Sequence, residues 1–199
     1  MKIKDIKLPE MTLMLNHFPD IEHTLVYLND SKNSKYIGDI DSLFVFKSEF
    51  RNTTFYFISK SEKPEALAFV QTQDAGGMKK LLVAYTLPEF RRKSFVKRLL
   101  FFIKGKLGKT MIDYGALTSD GKKLYDELNK SNLFNLKWFN LKTGEKVDYS
   151  DSEYKISYSQ QTDWRVLIEG SPNNTFEMFD RTLVGKDGPQ SWPQFFKDN

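Results

Sequence analysis

LLVAYTLPEFRRKSFVKRLLFFIKGKL, residues 81–107, changes hydrophobic period, charge and backbone chemistry within a few positions. Leu81 to Tyr85 is a short apolar run of the length expected for a strand buried on both faces, and it stops at Thr86, Leu87 and Pro88. Proline has no N–H to give a ladder, so the strand must end there. From Phe95 the apolar residues recur as Phe95, Val96, Leu99, Leu100, Phe102, Ile103 and Leu107, a spacing of three and four that predicts one stripe on a helix. The connection between them, Glu89 to Ser94, carries Arg91, Arg92 and Lys93 where the first helical N–H groups lack partners inside the helix. Free donors, the positive end of the helix dipole and neighbouring cations together make such a turn an anion site.

Pro88-Glu89-Phe90-Arg91-Arg92-Lys93-Ser94-Phe95-Val96 between a strand and a helix resembles the cofactor motif of the GNAT N-acyltransferases, P-x-[YF]-R-x-x-G-x-[GA]. Ser94 and Val96 stand where that family usually has Gly and Gly or Ala. Further on, Thr118 to Leu128 is similar to the family's N-x-x-A-x-x-L-Y-x-x-L helix, with Thr118 at the Asn, Gly121 at the Ala and Tyr125 at the tyrosine. The resemblance implies a cofactor groove of Val83, Ala84 and Tyr85 with Arg91, Arg92, Lys93, Ser94, Phe95 and Val96. It also implies acetyl-CoA as cofactor, and an amine of a protein or small molecule as acceptor. Tyr125 would protonate the departing thiolate, work that suits a phenol because it is neutral at physiological pH. No residue stands out as the base that frees the amine. Asp41, Glu49 and Asp113 are unranked candidates.

The rest of the chain fits an α+β fold, a central mixed, mostly antiparallel sheet flanked by helices. Pro9 to Asn16 and Ile21 to Asn29 look helical, the second with Ile21, Leu25 and Leu28 on one face and Asp20 as its cap. In the resembled family, helices near this point shape the acceptor pocket. Tyr36 to Phe50 leans to strand or irregular structure. Thr53–Ser59, Ala66–Thr72 and Lys80–Tyr85 predict a three-strand meander with a turn at Asp74-Ala75-Gly76-Gly77. After the basic helix, Thr110 to Tyr114 is a strand, so a right-handed crossover sets it parallel to Leu81–Tyr85. A helix over Lys122–Asn132, a strand over Phe134–Leu141 and a returning strand over Lys146–Tyr149 complete a GNAT-like acyltransferase domain, residues 1–149. Residues 150–199 are expected as a C-terminal β/α extension packed on the same domain, with strands at Tyr154–Tyr158 and Trp164–Glu169, a helix at Thr175–Val184, and an aromatic stretch, Gly188–Phe196, docked on the core or a partner.

Composition narrows the chemistry. The chain has 199 residues and is 40% hydrophobic, enough for one sizeable core. No run approaches the length of a membrane span, and Met1-Lys2-Ile3-Lys4-Asp5 lacks the apolar core of a signal peptide, so a soluble, cytoplasmic protein is expected. The chain has no cysteine, which excludes thiolate nucleophiles, thiolate metal sites and disulfides. His17 and His23 are the only histidines and sit in no motif, so no metal site is expected. From Lys79 to Lys109 ten basic residues face one acid, Glu89, although the whole chain carries only +4. That asymmetry draws polyanions: a nucleotide cofactor, nucleic acid or an acidic protein. Nucleic acid is the weaker of these, because the aromatics among the basic residues fall on the apolar side of the helix instead of offering stacking platforms. A second class of function stands beside the enzyme: a GNAT-shaped protein that has lost catalysis and binds a macromolecule. The Lys-, Asn- and Phe-rich composition suits a phage protein that neutralises a host factor in the host cytoplasm.

Overall fold

The computed structural model describes residues 20–75, 77–108, 110–113, 119–131, 134–150 and 163–169. A helix opens this part of the chain, α1 over Ile21–Asn29, capped by Asp20, whose carboxylate accepts from the amides of Glu22 at 3.1 Å and His23 at 3.3 Å. The expected face of Ile21, Leu25 and Leu28 packs inward, with Leu28 fully buried. Five strands then follow one another: β1 (Ser34–Ile40), β2 (Leu43–Phe50), β3 (Thr53–Ser59), β4 (Ala68–Ala75) and β5 (Met78–Thr86). Tyr36–Phe50, the ambiguous segment, is therefore a hairpin. Asp41 and Ser42, both at positive φ, form its two-residue turn, the handedness that matches strand twist. The meander is longer by two strands than its aromatic, β-branched part suggested.

The basic helix, α2, runs over Phe95–Leu107 as its periodicity predicts, and Gly108 at φ 62° ends it by donating its N–H to the Lys104 carbonyl. Strand β6 (Met111–Asp113) follows, then α3 (Ser119–Lys130), β7 (Asn135–Asn140), β8 (Lys146–Asp148) and β9 (Trp164–Glu169). Among the described residues nine strands form one sheet, in the order β1-β2-β3-β4-β5-β6-β9-β7-β8. Its one parallel pair is β5–β6, the predicted crossover, and every other pairing is antiparallel. The mixed, mostly antiparallel α+β sheet expected from the sequence is the one formed.

Each face of the sheet has its own core. On one, α2 and α3 lay Leu99, Leu100, Phe101, Ile103, Tyr125 and Leu128 onto Val45, Ile58, Val70, Met111 and Ile168. On the other, α1 covers Phe46, Phe55, Phe57 and Phe69, and Phe46 stacks on Phe57 at 5.3 Å. Each such buried side chain contributes roughly 1.5–3 kcal/mol of transfer free energy. At Gly38 (φ 145°), a Cβ would come within 3.1 Å of the Phe102 ring, so the edge hairpin reaches α2 only because this residue has no side chain.

Two expectations need correction. Strand β5 is not buried on both faces: Leu81 is buried, but Leu82 and Val83 are half-buried and Ala84 is exposed. Among the described residues, β6 pairs with β5 from Lys79 to Leu81, and Leu81 is the last of these to be covered on both faces. Second, Trp164–Glu169 is an interior strand, between β6 and β7, so residues from beyond position 150 complete the sheet itself. The expected helix at 9–16, the strand at 154–158, the helix at 175–184, the aromatic stretch at 188–196 and His17 lie outside the described residues.

Candidate functional site

The turn after β5 is short and tightly wound. Pro88–Phe90 make one 3-10 turn in which the Arg91 N–H bonds back to the Pro88 carbonyl, then Arg92 (φ 64°) and Ser94 (φ 55°) both take the left-handed conformation. Ser94 thus occupies the backbone state for which glycine is the usual residue, at roughly 1–2 kcal/mol of strain. It precedes α2 without a side-chain cap, and the first α2 amide to bond back is Arg98, to the Ser94 carbonyl at 3.0 Å. The amides ahead of it lie in the first turn, where a helix offers no carbonyl four residues back.

Side chains sort themselves around this bend. Phe95 is buried and stacks on Phe90 with ring centroids 6.2 Å apart, and Val96 packs on the α2 core. These two residues offer the bend their backbone amides only. Arg91, Arg92 and Lys93 point to solvent.

Elsewhere on the basic segment the charge is spent inside the protein. Lys79 is buried and pairs with Asp74 at 3.1 Å, Lys97 is buried and pairs with Glu127 at 2.7 Å, and Arg98 pairs with Asp41 at 3.1 Å. Lys104 is also buried, and desolvation holds its ammonium below the usual lysine range while Glu169 works against that shift. Of the cations read from the sequence as one basic field, Lys79, Lys97, Arg98 and Lys104 are thus drawn into the fold, and Arg91, Arg92 and Lys93 are exposed on the turn.

Strand β5 carries a bulge at Leu82, where the register to β4 slips between Val83↔Gln71 and Leu81↔Thr72. The last rung to β6, Leu81↔Asp113, is next to it. From Leu82 to Thr86 the β6-side edge of β5 has no ladder partner among the described residues. Val83 and Tyr85 face the α1 side and pack on that core, whereas Ala84, small and exposed, faces the α2 side. Val83, Ala84 and Tyr85 thus lie on the strand that leads into the turn carrying Arg91 to Val96, with Ala84 on the α2 side and Val83 and Tyr85 on the other.

Tyr125 lies on α3 with only 3% of its surface exposed, among the side chains of the α2 core. Its helix is held on one side by the Lys97–Glu127 pair and on the other by Tyr149, whose hydroxyl donates to Asp126 at 3.0 Å. Of the base candidates, Asp41 is engaged by Arg98, Glu49 is paired with Lys47 on the exposed side of β2, and Asp113 is buried at the last β5–β6 rung. Among the described residues no group of three or more His, Asp or Glu side chains could hold a metal ion. No helix in the described residues is long and apolar enough to cross a membrane.

One participant has no sequence signature. Lys60, in the β3–β4 connection, places its Nζ over the Phe90 ring at 4.6 Å, and Lys93 places its own at 5.3 Å. The pairing Ala68↔Thr86 brings the two loops to the same end of the sheet, a juxtaposition that only the register reveals.

No family model and no curated protein matches the chain. Solved structures similar to it include a protein from Bacteroides thetaiotaomicron assigned to the GNAT acetyltransferases, 11% identical over 68% of this chain and 72% of its own, with a TM-score of 0.38. Another, from Klebsiella pneumoniae subsp. pneumoniae, is assigned as an acyl-CoA N-acyltransferase, with 12% identity, 60% and 73% coverage and a TM-score of 0.38. The ribosomal-protein-S18-alanine N-acetyltransferase of Escherichia coli is 13% identical over 77% of this chain and 90% of its own, with a TM-score of 0.39. Scores of this size describe a loose likeness.

Proposed function

We propose that this chain is a divergent GNAT-like N-acyltransferase that takes an acyl group, acetyl in the first instance, from its coenzyme A thioester to an amine of a protein or small molecule. The observation that carries this reading is the bend at Arg91–Ser94: a helix start with no side-chain cap, a left-handed residue at the family's glycine position, and three exposed cations just beyond the end of β5. The donor set suits a diphosphate, which amides and cations hold better than any neutral group. Arg91, Arg92, Lys93 and the amides of Ser94, Phe95 and Val96 would hold it, and the edge of β5 at Val83–Tyr85 would hold the arm that follows. When bound, the thioester supplies an activated acyl group. A β5 amide near Ala84 is a donor for its oxygen, and such preorganised donors commonly make the largest electrostatic contribution to acyl transfer. Tyr125 is the proton donor to the leaving sulfur in this reading.

Calorimetry of the whole chain with acetyl-CoA tests it. Micromolar or tighter binding, weakened at least tenfold by Arg91→Glu, is expected. Absence of heat with acetyl-, propionyl- and free coenzyme A would remove the enzymatic reading.

The burial of Tyr125 favours a second reading, in which the fold keeps the bend and has lost transfer, serving to bind a host macromolecule. Release of free thiol from acetyl-CoA in the presence of an amine pool separates the two: steady release is expected of the enzyme. Stoichiometric capture of a host protein, indifferent to acetyl-CoA, is expected of the binder.

A further inference from the structure

Cations of the basic segment that are drawn into the fold have acidic partners, whereas those around Phe90 stand exposed. Lys79, Lys97 and Arg98 each have an acidic partner, but Lys60, Arg91, Arg92 and Lys93 have no ion pair among the described residues. Two of these four, from different loops, converge on one ring: Lys60 Nζ at 4.6 Å and Lys93 Nζ at 5.3 Å from the centroid of Phe90. A ring attracts an ammonium weakly at an exposed site, and two like charges brought to the same ring repel. An anion between them would reverse the sign of that repulsion.

Lys60 is also built into a fixed loop. Ser59 Oγ donates to the Lys63 carbonyl at 2.9 Å and accepts from the Ser61 amide at 3.2 Å. Ser61 Oγ donates to the same carbonyl at 3.1 Å, and the Ala66 amide donates to Asn29 Oδ1 at the end of α1 at 2.8 Å. Phe90 in turn is braced by Phe95. A cation on such a support loses less freedom when it takes a ligand than one on a loose loop.

We infer that Lys60 and Lys93, on either approach to Phe90, form a phosphomonoester subsite separate from the amides of the bend, and that it takes the 3′-phosphate of coenzyme A. This rests on the coenzyme A reading above and adds to it a residue from the β3–β4 connection. A coenzyme A molecule carries its diphosphate and its 3′-phosphate as distinct anions, so one bend cannot cradle both with the same groups. Lys60 supplies charge from a second loop, where the bend's own amides are absent. It therefore decides between coenzymes with and without that phosphate.

The test is calorimetry of the full chain with coenzyme A and with dephospho-coenzyme A, for the wild type and Lys60→Met, whose thioether keeps most of the contact with Phe90. The wild type is expected to prefer coenzyme A by about tenfold, the scale of charge-assisted hydrogen bonds at an exposed site. Lys60→Met should erase that preference and leave dephospho-coenzyme A binding unchanged within twofold, with an unaltered melting temperature. Equal weakening toward both ligands, or a wild type with no preference, would overturn the subsite while leaving the coenzyme A reading standing. Failure of the wild type to bind either ligand would overturn both. Loss of the preference on addition of millimolar inorganic phosphate supports a phosphate-selective pair, and its persistence assigns the preference to other groups and overturns the inference.

Discussion

Lys97 Nζ lies 2.7 Å from Glu127 Oε2, and this bond ties the first turn of α2 to α3 two residues past Tyr125. The lysine is the buried partner, with 10% of its side chain exposed against 56% for the glutamate. The two ends of the pair should respond unequally to mutation. Glu127→Gln leaves a buried ammonium without this carboxylate and is expected to cost about 1 kcal/mol, discounted for the glutamate's exposure. Lys97→Met keeps the stem and removes the buried charge, and should cost less. Urea unfolding of both variants measures the difference, and equal losses would mean that the pair acts through its packing alone.

Ser94 pays for its left-handed backbone. Ser94→Gly is expected to leave stability unchanged or raise it by about 0.5 kcal/mol, the relief of strain being partly offset by a freer unfolded chain. Ser94→Val should cost more than about 1 kcal/mol, since a branched side chain tolerates this conformation poorly. Thermal melts of the two variants rank them, and a glycine variant less stable than the valine one would mean that the serine hydroxyl matters more than the bend.

Gly38 meets Phe102 across the edge hairpin. Gly38→Ala adds a methyl 3.1 Å from Phe102 Cζ at a φ of 145°, and about 1–3 kcal/mol of destabilisation is expected. Shortening the neighbour by Phe102→Leu in the same chain should recover the steric part and leave the backbone part. A double-mutant cycle in guanidinium, with no coupling between the two sites, would contradict the contact.

Two buried phenols predict weakness toward alkali. Burial pushes Tyr56 up to about 12, and burial first, then the hydrogen bond to Asp126, raises Tyr149 further. Because their folded values exceed the ordinary tyrosine value of about 10, the unfolded chain loses these protons first as pH rises. The stability they contribute is fully present below about pH 10 and declines from there as pH climbs through the folded values. Tyr149→Phe should flatten part of that decline while lowering stability at neutral pH, because Asp126 loses its donor. Denaturant midpoints between pH 8 and 11 show whether it does.

Much of the sheet was visible in the residues. Thr53–Ser59 is aromatic and β-branched, the period of Phe95–Leu107 is helical from end to end, and Asp20 announces the start of α1. Tyr36–Phe50 was harder because its turn residues, Asp41 and Ser42, are acidic and polar at positions where Asn-Gly would have signalled a hairpin. The place of β9 was hidden for a different reason. Its apolar run, Val166 to Ile168, names a buried strand but no neighbours, and only pairing to Met111 and to Leu136, both remote in sequence, settles its place. The same holds at the candidate site. Arg91–Ser94 carry a local pattern, whereas Lys60 and the Arg98–Asp41 pair depend on contacts made across the fold. The basic segment looked like one field because burial of Lys79, Lys97 and Lys104 leaves no trace in a charge count.

The position of β9 also sets an order of events during synthesis. Strands β1 to β6 leave the ribosome with the far side of β6 bare, and β7 emerges with its inner side equally bare, until Trp164–Glu169 arrives to bond both. Closure of the sheet is therefore a late step governed by long-range pairing, slow by nature and spent with two naked strand borders. A nascent chain that stalls before residue 169 is a template for joining another copy of itself, and cells that make this protein in quantity would meet that hazard before they meet its activity.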